Sequence, residues 1–480
     1  MSRRVSKLRP EADDFRTRTA DSLTKDGLKQ RCQTNAWLGH TKRAHAAAQM
    51  PEWQQLCAWA RDVKRHTVEH LADYLEEFTR NAERVGTQVH YASTAAEAVQ
   101  QVAEIAKQHR EGPITKGKSM VSEELHLNGH LEAAGLLPLE TDLGEYIVQL
   151  AGDRPSHIIT PVMHMDRQQI GRLFADKLGL DYTDDPQALT AVARERLREA
   201  FLAAAVGVTG ANFLIADTGS IVLAENEGNI RLCTTLPRVH IALAGLEKLL
   251  PRLADLGGFL RLLPRCGTGQ KMTGYVSLLT GPRRAGEVEG PEEVHVILLD
   301  NGRSALLADP HKRQILTCIR CGACLNACPV YRTVGGHAYD SVYPGPIGKL
   351  LGPHSIGTDH GTDLPFGSSL CGACTEVCPV KIDIAHLLLY LRQEAVKSGH
   401  GDFLWNAGFS AWSTATQYAP LYRAGAALAK LGRAALDRTG GLEALPGPLA
   451  GWSRTRAFPP FAKRSFDQWW KDTQGGQEVE

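Results

Sequence analysis

The sequence predicts an α/β sheet domain preceded by a helical segment and followed by a helical cysteine-rich domain and a helical tail. Three observations carry this. Before residue 86, "WQQLCAWARDVKRHTVEHLADYLEEFTRNAERV" repeats apolar residues at helical spacing without Gly or Pro. From 86 to 305, short apolar runs alternate with amphipathic stretches, as in a sheet whose strands are joined by helices. Seven of the eleven cysteines then crowd between Cys318 and Cys378.

Taken in order, residues 1–85 are expected to be helical. "QVHYA" reads as a strand and "TAAEAVQQVAEIAKQH" as an amphipathic helix. "PITKGKSM" is strand-like, and "SEELHLNGHLEAAG" is helical. "HIITPVM" is a strand candidate, and "ANFLIADTGSIVLAENEG" gives two strands around a turn at Asp217–Ser220. "RVHIALAGLEKLL" reads as strand then helix, and "EEVHVILLD" as a late strand. Residues 306–399 form the cysteine region. Residues 400–480 read as helical and hold five of the eight tryptophans, with "GGLEALPGPLAG" as a break.

Composition excludes several classes. A net charge of +1 gives a nucleic-acid partner no electrostatic support. Cysteines bunched in one stretch of a long chain point to metal in a reducing compartment rather than to a disulfide scaffold. "SRRVSK" near the start lacks the apolar region of an export signal. No apolar run reaches the roughly 18 residues of a membrane span. The expected location is cytoplasmic, with peripheral membrane attachment as the alternative.

Cys318, Cys321, Cys324 and Cys328 follow C-x2-C-x2-C-x3-C and are closed by Pro329, the bacterial spacing for [4Fe–4S] clusters. Zinc prefers two separated C-x2-C pairs. A tight loop must wrap a cubane core, and Gly322 with Ala323 lets the backbone approach it. "SSLCGACTEVCPV" repeats the motif with Cys371, Cys374 and Cys378, and Ser368 falls where a fourth cysteine would stand.

With this spacing the last cysteine of each motif serves the other cluster. One cluster then takes Cys318, Cys321, Cys324 and Cys378. The other takes Cys328, Cys371 and Cys374 and lacks a ligand. Ser368 can ligate through oxygen, or a distant cysteine (Cys32, Cys57, Cys233 or Cys266) can reach in. Otherwise the site holds a [3Fe–4S] cluster or a [4Fe–4S] cluster with an open iron. His337, His354 and His360, in the same region, are weaker candidates. The motifs lie about forty residues apart and helical patterns flank them, which favours a helical two-cluster ferredoxin domain.

These motifs, joined to "ITKGKSMVSEELHLN", "TGANFLIADTGSIVLAENEGN" and "TGQKMTGYVSLLTGPR", resemble the B subunit of the bacterial lactate utilisation system. The resemblance covers most of the chain. It implies an α/β domain with the fold of CoA transferases and sugar-phosphate isomerases. It also implies an electron-transfer role in oxidising L-lactate to pyruvate, with other subunits of the complex as partners and an unnamed electron acceptor. Cys266 in "PRCGTGQ" departs from the family pattern.

Two other readings stand beside this one. CoA transferases use a glutamate nucleophile near a Glu-Asn-Gly turn, and "AENEGN" offers Glu225 and Glu227, which would make the chain an enzyme with redox-sensing clusters. The clusters could also be purely structural. "TKGKS" lacks the phosphate-loop frame, although Lys116 and Lys118 could bind an anion. The aromatic tail "FLWNAGFSAWSTATQYAPLYRAGAALAKLGRAAL" suits docking to a partner subunit. Its few basic residues, Arg423, Lys430 and Arg433, fit a membrane-surface helix less well.

Overall fold

The computed structural model describes residues 14–109, 111–355, 361–400, 403–436, 464 and 466–474. Four helices open it, Phe15–Thr24, Leu28–Ala48, Trp53–Glu69 and Leu71–Arg84. Ten strands follow: β1 Gln88–Ala92, β2 Ile114–Lys116, β3 Pro138–Glu140, β4 Val206–Gly210, β5 Phe213–Ile215, β6 Ser220–Glu225, β7 Val239–Gly245, β8 Leu249–Leu250, β9 Tyr275–Leu279 and β10 Glu293–Leu299.

The larger sheet is all parallel, in the order β1-β10-β7-β4-β2-β3. Every residue of β7 is buried, as expected of a central strand covered on both faces. Alternate side chains enter opposite cores. Ile241, Leu243, Ile297 and Leu299 meet the helix Ala95–Gln108 on one face, while Ala242, Ala244, Val296 and Leu298 meet the helix Leu71–Arg84 on the other. A smaller mixed sheet, β8-β5-β6-β9, lies alongside.

Three expectations are corrected. His157–Met163 is a buried turn, not a strand. His157 Nδ1 accepts the N–H groups of Ile159 and Thr160 at 3.0 and 3.1 Å, and Ser156 N–H reaches the Pro161 carbonyl at 2.8 Å. These local bonds replace ladder bonds. "LEKLL" after β7 makes one 3-10 turn, Leu246–Lys248, and then β8, because Lys64 grips the Glu247 and Leu249 carbonyls at 2.6 and 3.1 Å. The helix expected over "SEELHLNGHLEAAG" breaks in two at His126, whose φ is 49°.

Residues 1–395 form one compact unit and 396–480 a second. In the first, the N-terminal helices pack onto the cysteine region. Leu28–Ala48 lies against Ala323–Ala327 and Pro329–Val334, Trp53–Glu69 against Lys312–Thr317, and the Phe15 ring is 5.2 Å from that of Tyr339. One hydrophobic core joins Phe15, Phe213, Phe259, Leu325, Tyr331 and Leu391. In the second unit, the helices Phe403–Gln417, Ala419–Leu436 and Phe466–Gln474 expose Phe409, Trp412, Tyr422 and Trp470. Among the described residues no helix is long and apolar enough to cross a membrane.

A buried ion chain ties the sheet to the cysteine loop. Arg303 donates to both Glu124 oxygens at 3.0 and 2.9 Å and to Glu247 at 2.6 Å, and Arg320 donates to Glu247 at 2.9 Å. Gly245 makes room, since a Cβ there would collide with Glu247 Oε2 and Arg303 Nε. Truncating one member strands the other charges. Arg303→Ala is expected to cost about 3–5 kcal/mol, read as a large fall in the denaturant midpoint. Arg261→Ala, which removes a half-exposed pair with Glu52, is expected to leave that midpoint nearly unchanged.

Candidate metal centre

The first cysteine motif begins where the 3-10 segment Lys312–Thr317 ends. The chain curls through two left-handed residues, Arg320 at φ 59° and Gly322 at φ 74°, and enters the short helix Ala323–Ala327. The second motif repeats this with Leu370 at 54°, Gly372 at 80° and the helix Ala373–Glu376. Glycine suits these turns because it has no Cβ. The N–H of Arg320 donates to Cys318 Sγ at 3.4 Å, and the N–H of Leu370 donates to Ser368 Oγ at 3.2 Å. One local fold is used twice, and the serine oxygen receives the N–H that the first motif gives to sulfur.

The fold sets Ala373–Glu376 against Ala323–Ala327. Two neighbourhoods of sulfur result. Burial pushes the Cys378 thiol up to about 12, with Cys321 and then Cys318 adding to the rise. Burial also raises Cys324, and Cys318, Cys321 and Cys378 are among its neighbours. Burial raises Cys374, with Cys328 and Cys371 contributing. Cys321, Cys324, Cys328, Cys374 and Cys378 are buried, Cys318 is half-buried and Cys371 is exposed. Backbone N–H groups reach Cys328 from Tyr331 at 3.5 Å and Cys378 from Ile382 at 3.3 Å. Crowded thiols with N–H groups aimed at sulfur are a donor set that fits iron–sulfur clusters.

The remaining cysteines separate clearly. Cys266 hydrogen-bonds Cys321, which is the foremost cause of that thiol's raised pKa, and Cys57 also neighbours Cys321. Both therefore lie in the neighbourhood of Cys318, Cys321, Cys324 and Cys378. Cys233 contacts Thr141 Oγ1 at 3.5 Å, within the sheet domain. Cys32 neighbours Tyr331, the residue whose N–H meets Cys328. The histidines have other partners. His337 Nε2 meets the Arg154 carbonyl at 2.7 Å, and burial lowers His354 to about 4 beside Lys312 and Asp309. His360 lies outside the described residues.

Sequence reasoning missed the cations around these sulfurs. Arg320, Lys248 and Lys64 all feel Cys318. Burial lowers Lys248 to about 8 and Lys64 to about 7. Burial also lowers Lys349, against the pull of Cys328 and Cys374, and its ammonium donates to the Gly367 carbonyl beside Ser368. Arg392 holds the Ser368 carbonyl at 2.9 Å. Only Arg320, inside the C-x2-C spacing, carried a positional signal.

The candidate nucleophiles are engaged elsewhere. Glu225 accepts the N–H groups of Ile230 and Arg231 at 2.8 Å each, holding the start of the helix Asn229–Thr235, and burial raises its pKa against those bonds. Glu227 accepts the N–H of Leu143 at 3.1 Å. Lys116 is buried in ion pairs with Glu140 at 2.6 Å and Glu123 at 3.0 Å. Those pairs outweigh burial and hold its pKa above the usual value.

Comparison with known proteins gives three family matches along the chain. Residues 75–299 match the LUD domain, 314–382 the 4Fe-4S dicluster domain, and 391–475 the C-terminal domain of lactate utilisation protein B. The chain is 42% identical over 441 residues to lactate utilization protein B of a Geobacillus species, covering 92% of this chain and 93% of the relative. It is 40% identical over 463 residues to the protein of that name from Bacillus thuringiensis, covering 96% and 98%. A solved DUF162 family protein from Deinococcus radiodurans aligns over 48% of this chain and 98% of its own, at 15% identity and a TM-score of 0.27.

Proposed function

The chain belongs to the lactate utilization protein B family, and from that membership we propose that it is the iron–sulfur electron-transfer subunit of a complex oxidising L-lactate to pyruvate. The observation that carries this reading is the pairing of the two cysteine motifs into two neighbourhoods of sulfur. In this reading Cys318, Cys321, Cys324 and Cys378 hold one cluster. Cys328, Cys371 and Cys374 hold the other, with Ser368 at the fourth corner. When bound, the clusters supply one-electron transfer, which suits a chain placed between lactate oxidation on a partner subunit and a further acceptor.

The chain's own residues hold and shield these groups. The shared core keeps water from the buried thiols, while Arg320 and Lys248 put positive charge near Cys318. Positive charge near a cluster favours its reduced form. The exposed aromatics of the helices Phe403–Gln417 and Ala419–Leu436 are the surface for partner subunits. In this reading the α/β domain does no CoA-transferase chemistry, because Glu225, the candidate nucleophile, is spent on backbone amides.

The direct test is lactate-dependent bleaching of the visible absorption in an anaerobically co-purified complex. Lactate turnover without that bleaching overturns the reading. Cys318→Ser and Cys328→Ser are expected to damage different clusters in electron paramagnetic resonance, whereas loss of one and the same signal in both variants rules out crossed ligation. The cluster beside Ser368 is expected to convert first to a three-iron form under mild oxidation, because oxygen is a poorer ligand than thiolate for its iron. Ser368→Cys should slow that conversion, and an unchanged rate would mean that another residue already completes the site. Glu225→Gln and Glu227→Gln are expected to leave lactate oxidation by the complex nearly intact. A fall of about 10²-fold in kcat, the scale of a lost general acid or base, would instead put chemistry in the α/β domain.

A further inference from the structure

A cavity of about 320 Å³ lies between the sheet domain and the first cysteine loop. Lys118 after β2, the turn Glu225–Asn229 after β6, Lys248 after β7, and Ile319 with Arg320 all line it. Its charged groups are three cations, Lys118, Lys248 and Arg320, and three acids, Asp142, Glu225 and Glu227. The acids are committed. Asp142 Oδ1 accepts the N–H groups of Gly144 and Glu145 at 3.0 and 3.1 Å, and Glu225 and Glu227 accept those of Ile230, Arg231 and Leu143.

The cations are not equally spent. Lys118 donates to the Ile159 carbonyl at 2.5 Å. Lys248 is only 9% exposed, yet its ammonium has no hydrogen bond or ion pair among the described residues. Arg320 is 7% exposed, and its Nη1 also lacks a partner. Glu247 pairs with Arg320 and acts on Lys248 through its charge alone, so the Lys248 ammonium and Arg320 Nη1 keep hydrogen-bonding capacity that an anion in the cavity would use. Ile158, Leu223, Leu263 and Ile319 add apolar wall.

We propose that this cavity binds a small organic anion, a carboxylate or a phosphate, with Lys248 as its principal contact and Lys118 and Arg320 in support. The apolar wall takes the carbon body of the ligand. The site stands whether or not the chain passes electrons from lactate. One consequence does rest on the iron–sulfur reading. Arg320 lines the cavity while its N–H donates to Cys318 Sγ, so the anion sits beside the group that Cys318 would hold. Added negative charge disfavours the reduced cluster, so occupancy lowers its midpoint potential. By linkage, reduction loosens the anion by the same factor.

The test is calorimetry on anaerobically purified full-length protein with pyruvate, L-lactate, citrate, inorganic phosphate and ribose 5-phosphate. At least one is expected to bind saturably. Carboxylates alone or phosphates alone would identify the class. Lys248→Met is expected to weaken binding about tenfold or more, the scale of one charge-assisted hydrogen bond, and Lys248→Arg to retain it. If Lys248→Met loses its visible absorption, Lys118→Met carries the same test. No binding across the whole panel, or binding undiminished in the Met variants, overturns the site. A redox titration with the bound anion then reads the coupling. A lowered midpoint supports it, and an unmoved midpoint overturns the coupling while leaving the site.

Discussion

The chain of buried charges Glu124–Arg303–Glu247–Arg320 is the constraint on which the rest depends. Charges removed from water are tolerable only when each meets an opposite charge in good geometry. Here each carboxylate faces a guanidinium, and Glu124 also accepts from Asn301 at 2.7 Å and Tyr343 at 2.8 Å. The partners come from four separate stretches: the helix Met120–Glu124, the turn after β7, the helix Arg303–Ala308 and the first cysteine motif. Satisfying them requires the sheet and the cysteine loop to meet in one relative placement. The left-handed turn at Arg320, which Leu370 repeats in the second motif, turns its N–H to Cys318 while its side chain reaches Glu247.

The N-terminal helices answer a second constraint. Two curled motifs with short helices offer little apolar surface of their own. Leu28–Ala48 and Trp53–Glu69 supply the missing wall, with Cys57 and Ala60 in the shared core. The same core runs into the smaller sheet through Phe213, Ile215 and Val222. Sulfur, sheet and N-terminal helices are thus one packing problem.

The sequence made the cysteine motifs legible because wrapping a compact cluster demands ligands at fixed local spacing. Ser368 was legible by register, and the matching N–H from Leu370 shows the register to be structural. The buried strands β7 and β10 were legible from their apolar runs. The cavity was not, and of its cations only Lys118 stood out, as a candidate anion binder. Lys248, Glu247 and Arg303 look like surface residues in sequence, and their burial depends on partners far along the chain. His157–Met163 misled because its apolar pattern fits a strand, whereas local bonds from His157 and Ser156 decide its shape. The packing of residues 15–69 onto the cysteine region left no local trace, since helical spacing shows that a face is buried but not against what.

The core that joins Phe15 to Leu391 bears on how the protein is made. A chain emerging from the ribosome at about 5–20 residues per second takes roughly 20–70 s to pass from Phe15 to Cys378. Throughout that interval the first helices lack part of the surface they are built to cover, and the first motif lacks the second, against which it packs. Completion of the metal site and closure of the core therefore fall late in synthesis and nearly together. Apolar helices left uncovered for that long are prone to associate with other chains, and iron and sulfide meet the full set of thiols only at the end of translation.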